Sequence, residues 1–213
     1  TSLFAAYAGF LLVGVGIGLG HRRVWLDTAL DVFCLRKRLL ARILVDSLTG
    51  LLNREGWETR AARAFDQAMA ARRPVALAYL DLDHFKRTND TFGHAVGDQL
   101  LRAIAATLQS HCSAGELVAR VGGEEFVVLL PGADEDAAFA FVERIRHAVA
   151  ALPGPFSSSV SCGVARHRPG ETLEQLVARA DAAMLEAKRR GRNMVLRAES
   201  RVPTFSEDAG SGA

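Results

Sequence analysis

RVGGEEFVVLL, residues 120–130, is the stretch on which the fold turns. Apolar runs at 117–121 and 126–130 flank Gly122-Gly123. A Gly-Gly pair between β-type runs predicts a tight hairpin whose two central positions take positive φ. Two carboxylates, Glu124 and Glu125, come at once after the pair. Adjacent strand residues point to opposite faces, so at most one of the two faces a given ligand. An acid at a hairpin tip, beside backbone free of side chains, suits a metal–phosphate site. Taken alone, the stretch reads first as an ordinary hairpin with solvated acids.

On the amino-terminal side, residues 75–82 (VALAYLDL) are apolar on both faces, which predicts a central strand. It ends in Asp81-Leu82-Asp83, whose two carboxylates share a face. Acids at the end of a buried strand cost free energy unless paired or metal-bound, so they are functional candidates. A helix over 55–73, ended by Pro74, precedes this strand. Phe85-Lys86 and a polar turn, Thr88-Asn89-Asp90, come after it and lead to a helix opened by Gly93-His94 and Gly97-Asp98. Beyond the hairpin come a helix over 135–152, an alternating strand over 158–165, a helix over 173–190 stopped by Gly191, and a short strand over 193–197. The order α β α β β α β α β places two β-α-β units around a central hairpin. This predicts an α/β domain (an α+β sandwich) of ferredoxin-like type over 46–198, with helices on one face.

The chain of 213 residues accommodates one such domain plus an appendage. A hydrophobic content of 49% and a mean hydropathy of +0.11 point to a membrane segment. Residues 3–20 carry no charge and lead directly into His21-Arg22-Arg23. Residues 1–20 are therefore expected to form a transmembrane helix, the end of a larger membrane sensor region. The basic flank places the remainder of the chain in the cytoplasm. Residues 21–45 read as a helical linker: Leu26, Leu30, Phe33, Lys37, Leu40 and Leu44 recur at coiled-coil spacing, which predicts dimerisation. The tail, 199–213, is expected to be disordered.

Several functions are excluded. A net charge of +2 gives no general case for nucleic acid. Cys34, Cys112 and Cys162 show neither zinc nor disulfide spacing. Neither G-x-x-x-x-G-K-[ST] nor G-x-G-x-x-G occurs, so a phosphate site here is not of P-loop or Rossmann type.

Five segments, DSLTGLLNR (46–54), LDLDHFKRTNDTFGHAVGD (80–98), RVGGEEF (120–126), SVSCGVA (159–165) and ADAAMLEAKRRGRN (180–193), resemble in order and spacing the GGDEF diguanylate cyclases, in their GGEEF form. The resemblance implies a nucleotidyl-cyclase fold in which each domain holds one GTP. Two domains face each other, and each 3′-hydroxyl attacks the other's α-phosphate, giving cyclic di-GMP and pyrophosphate. It implies two magnesium ions per site, replaceable by manganese, held by Asp81, Glu124 and the carbonyl of Leu82. Hard oxygen ligands of this kind suit magnesium. Glu124 is the family's nominee for proton acceptor, Lys86 stabilises phosphate charge, and Glu125, on the opposite strand face, supports the site. Asn89 and Asp98 match the readers of the guanine edge. Phe85, His94, Gly122 and Gly123 fall in the substrate-binding motifs, and Lys188 and Arg192 match the pair that grips the terminal phosphates.

The same resemblance implies a homodimer, and a bacterial inner-membrane protein whose catalytic domain is cytoplasmic. Departures from the family pattern carry expectations too. The inhibitory product site needs Arg-x-x-Asp, and here Ser113 and Glu116 stand in those places, so inhibition through it is expected to be absent. Leu185 replaces a common Tyr, and Thr88 an aliphatic residue. The alternatives are a non-catalytic GTP-binding signalling module, or a cyclase of another nucleotide.

Overall fold

The computed structural model describes residues 44–154 and 158–198. The expected membrane segment, the linker helix up to residue 43 and the tail from 199 lie outside the described residues. Among the described residues no helix is long and apolar enough to cross a membrane.

Helix α1 (Arg54–Ala70) leads into β1 (Val75–Leu82), α2 (Phe85–Phe92) and α3 (His94–His111). Next come the hairpin strands β2 (Leu117–Arg120) and β3 (Glu125–Pro131), then α4 (Glu135–Ala150), β4 (Val160–Arg166), α5 (Leu173–Arg189) and β5 (Val195–Arg197). The sheet order is β2-β3-β1-β4-β5. The first four strands pair antiparallel with their neighbours, and β5 runs parallel to β4. This is the split β-α-β arrangement expected from the element order, extended by one strand that α5 delivers to the edge.

All eight residues of β1 are buried, as their two-sided apolarity predicts. Two-sided burial requires cover on both faces, so the expectation of helices on one face is corrected. Ala76, Ala78 and Leu80 pack with α3 and α4, whereas Val75, Leu77 and Tyr79 pack with α1 and α5. Asp81 continues the second set and emerges under α5. Gly163 on β4 brings that helix down onto the sheet: a Cβ there would stand 2.0 Å from the Ala180 carbonyl oxygen and 2.4 Å from the Met184 nitrogen. Only glycine permits this approach.

Two further expectations are corrected. The polar turn at 88–90 belongs to the two-turn helix α2, entered through His84 at φ +58° and closed by Gly93 at φ +85°. Neither Gly122 nor Gly123 takes a positive φ. The register pairs Arg120 with Phe126, and the Val121 N–H donates to the Glu125 carbonyl. The connection is therefore the three residues Gly122, Gly123 and Glu124, which removes the demand for a two-residue mirror-image turn.

Candidate active site

The carboxyl end of β1, the hairpin loop and the end of α5 meet at one edge of the sheet. Asp81 lies directly across from Glu125 in the antiparallel register, so their side chains share a face. Glu124 sits in the loop ahead of β3 and escapes strand alternation. Both glutamates consequently act on Asp81, contrary to the expectation that Glu125 lies on the opposite face. Asp81 is only 5% exposed. Burial pushes its carboxyl up to about 6, against the lowering effect of Lys188 and with further upward pressure from Glu124 and Glu125.

Lys188 Nζ lies 2.7 Å from Asp81 Oδ1. The two form an ion pair that holds the carboxyl down against the effect of its burial. The position of Lys188 is a product of the fold, because it stands one turn beyond Met184, where Gly163 admits α5 to the sheet. Asp181, one turn before Leu185 on α5, is also raised, first by burial and then by Glu125. Tyr79 donates to Glu125 Oε1 at 3.3 Å, and burial together with these acids holds its phenol well above the ordinary value.

The loop itself is braced from several sides. Arg120 donates from Nε and Nη2 to the Gly123 carbonyl at 3.1 and 2.6 Å, and is paired in turn with Asp46 at 3.0 Å. Burial would raise the Asp46 carboxyl, but bonds from Thr49 and Arg120 outweigh it and hold the group below its usual value. Arg54 donates to the Val121 carbonyl at 2.6 Å, and the Leu82 N–H donates to the Glu124 carbonyl at 3.2 Å. Nothing lies within 4 Å of where a Gly123 Cβ would be. Open backbone at this point admits an oxyanion.

On the other side of β1, Phe85 is buried in the core against which α3 packs. Asn89 and Gly97 are in contact: a Cβ on Gly97 would stand 1.9 Å from Asn89 Oδ1, an oxygen that is buried without a partner. The Asn89 side chain thus lies against the first turn of α3, in which Asp98 follows Gly97. The side chains of Lys86, His94, Asp98 and Arg192 make no hydrogen bond or ion pair among the described residues. Arg192 sits in the turn after α5 at φ +67°.

Asp83, noted in the sequence with Asp81, has a different task. Its oxygens accept from the hydroxyls of Ser159 and Ser161 at 2.7 Å each and from the Asn193 N–H at 3.0 Å. It ties the end of β1 to β4 and to the turn that carries Arg192. Sequence reasoning missed this role and the bracing by Asp46, Arg54 and Arg120. Those three residues lie in the motifs at 46–54 and 120–126, but which carbonyl an arginine takes depends on tertiary geometry.

Among the described residues no group of three or more His, Cys, Asp or Glu side chains could hold a metal alone. The donor set nevertheless fits magnesium. A buried carboxylate, with two more acids near it and one ammonium as counter-charge, matches a cation that takes one or two carboxylates and completes its shell with phosphate oxygens.

Comparison with known proteins shows the family of the domain. The family model "Diguanylate cyclase, GGDEF domain" matches residues 43–194. Diguanylate cyclase DgcM of Escherichia coli K12 is 43% identical over 155 residues, covering 72% of this chain and 38% of that protein. The GGDEF domain of DgcB from Caulobacter crescentus, solved in complex with c-di-GMP, superposes with a TM-score of 0.71 at 37% identity, over 74% of this chain and 94% of that one. The active GGEEF domain of a diguanylate cyclase from Vibrio cholerae gives 0.68 at 33% identity, over 71% and 99%. The chain spans half or less of the length of the curated relatives it matches. By motif, topology and similarity, the chain belongs to the GGDEF family of diguanylate cyclase domains.

Proposed function

We propose that the chain is a diguanylate cyclase half-site: each domain binds one GTP, and two domains together form cyclic di-GMP and release two pyrophosphates. The observation that carries this is the convergence of Asp81, Glu124 and Glu125 beside the open Gly123 backbone, with Lys188 as their counter-charge. In the reaction a 3′-oxygen of one nucleotide bonds to the α-phosphorus of the other. The bond from that phosphorus to the bridging oxygen breaks, and the hydroxyl proton leaves to a base. Asp81, Glu124 and the Leu82 carbonyl would hold two magnesium ions, with manganese as a substitute. When bound, the metal supplies electrostatic stabilisation of the nucleophile and of the departing pyrophosphate. Lys188 and Arg192 reach the terminal phosphates from the end of α5, and Lys86 does so from α2. Asn89 and Asp98 read guanine, because an amide and a carboxylate match its donor and acceptor edge.

A single domain holds half of the reacting atoms, so turnover requires a homodimer, formed through the linker helix before residue 46. Residues 3–20 would tether the chain to the bacterial inner membrane, with the catalytic domain in the cytoplasm. The inhibitory product site is absent: Glu116 is turned onto its own loop, accepting from the Ser113 N–H at 2.7 Å.

Incubating the full chain in detergent with GTP and magnesium and separating products by chromatography tests this, with Glu124→Gln as control. Cyclic di-GMP from the wild type and none from the variant is the expected result. If GTP binds but an enforced dimer makes no product, the domain is a nucleotide-binding signalling module instead. Equal turnover of ATP would sink the guanine assignment.

A further inference from the structure

In the loop 121–125 the carbonyls of Val121, Gly123, Glu124 and Glu125 are all taken by donors of the protein, and this has a consequence for its amides. In a planar trans peptide the C=O and the next N–H point in opposite directions. Fixing the Val121 carbonyl on Arg54 therefore aims the Gly122 N–H away from Arg54, and fixing the Gly123 carbonyl on Arg120 aims the Glu124 N–H away from Arg120. The first carbonyl is held by Arg54 Nη2 at 2.6 Å and the second by Arg120. The amides of Gly122, Gly123 and Glu124 have no partner among the described residues. They flank Gly123, where a Cβ would project into open space, whereas Gly122 is covered by the Glu125 carboxylate. Successive unpartnered amides beside the open face at Gly123 form an anion cradle.

We infer that Arg54 is a positioning residue for the phosphates of the nucleotide, acting through the Val121–Gly122 peptide rather than by touching substrate. This rests on the site being the GTP site proposed above. A guanidinium bonded to a carbonyl also polarises the peptide and strengthens its N–H as a donor. Arg54 is itself anchored. It is the first residue of α1, whose N-cap Asn53 accepts from the Gly56 N–H at 2.9 Å and donates its own N–H to the Leu44 carbonyl at 3.1 Å. Arg120 holds the Gly123 carbonyl of the same loop and is anchored through Asp46. The segment 44–54 thus grips the catalytic loop at two alternate carbonyls, and Arg54 is the grip that aims the first amide.

The test uses the full chain in detergent, with Arg54→Ala and Arg54→Lys, and three probes: a non-hydrolysable GTP analogue, guanosine and inorganic triphosphate. Arg54→Ala should weaken the analogue and triphosphate about tenfold while guanosine affinity stays within about twofold. Arg54→Lys should recover part of the loss, since one ammonium donor can still reach the carbonyl. Unchanged triphosphate affinity in both variants, or equal loss for guanosine and triphosphate, would overturn the inference. If Arg54→Ala does not fold, the Lys variant decides alone by the same selective, smaller loss. A wild type that binds triphosphate but no guanosine would refute the GTP reading while leaving the cradle to be judged by the triphosphate arm; binding of neither refutes both.

Discussion

Replacing Asp81 with Asn should flatten the pH dependence of stability of the metal-free protein between about pH 4 and 7. In the folded chain burial raises this carboxyl from 3.8 to about 6. The unfolded chain ionises first as pH rises, so the folded state binds the extra proton and loses stability through this window; above about pH 7 both states are ionised and the loss is complete. A shift of this size corresponds to about 3 kcal/mol in full, and solvent at the edge of the site screens it to about 1–2 kcal/mol. For a domain of this size that is roughly 2–8 °C in Tm. Asparagine does not titrate, and the pull of Lys188 on the Asp81 carboxylate is already contained in the raised value of that group. The wild-type-minus-variant difference therefore isolates Asp81 from other carboxylates such as Asp46, whose lowered value acts with the opposite slope at lower pH. Thermal melts with chelator present, in steps from pH 4 to 8, provide the measurement. Adding magnesium with a non-hydrolysable GTP analogue at pH 8 should then stabilise the wild type and leave the variant behind. Parallel pH curves would refute the buried-acid account, and equal rescue of both proteins would remove Asp81 from the metal site.

The packing sets three further outcomes. Gly163→Ala must push α5 off β4, because the atoms met are helix backbone; a loss of about 2–3 kcal/mol is expected by denaturant titration, together with weaker triphosphate binding as Lys188 moves. Gly97→Ala displaces the end of the Asn89 side chain rather than a backbone, so the melting point should hold while the preference for GTP over ATP analogues falls on the order of tenfold; unchanged discrimination would remove Asn89 from the base pocket. Added cyclic di-GMP should leave the initial rate unchanged, whereas Ser113→Arg with Glu116→Asp should install inhibition; strong inhibition of the wild type would show that another surface binds product.

Much of the fold was legible because it rests on local patterns. The apolar character of β1 on both sides marks a central strand, and its eight buried residues bear that out. The number of faces covered by helices was misjudged although the same run of residues contains the answer: a strand buried on both faces needs helices on both. The helix at 85–92 was hidden by its polar composition, since only Phe85 and Thr88 are buried. Its boundaries are set by His84 and Gly93 in positive-φ conformations, which leave little mark in hydrophobic periodicity.

At the site, residue types were legible and their relations were not. Strand alternation assigned Glu124 and Glu125 to opposite faces, but alternation holds only inside a strand, and β3 begins at Glu125. Three glycines serve as clearances: Gly122, read from the sequence as a turn former, makes room for the Glu125 carboxylate, Gly97 for Asn89, and Gly163 for the backbone of α5. Each lets a functional or supporting group come closer than a Cβ would allow, and none of the three needs a positive φ. A glycine required for clearance is silent in a single sequence, because the partner it admits can lie anywhere along the chain. The same holds for Asp83, which was paired with Asp81 by spacing. The two differ only in what the fold brings to them, hydroxyls and an amide for Asp83 and like charges with one lysine for Asp81. A satisfied acid fixes structure; an acid held in excess negative charge is left to be neutralised by a cation that arrives with the substrate.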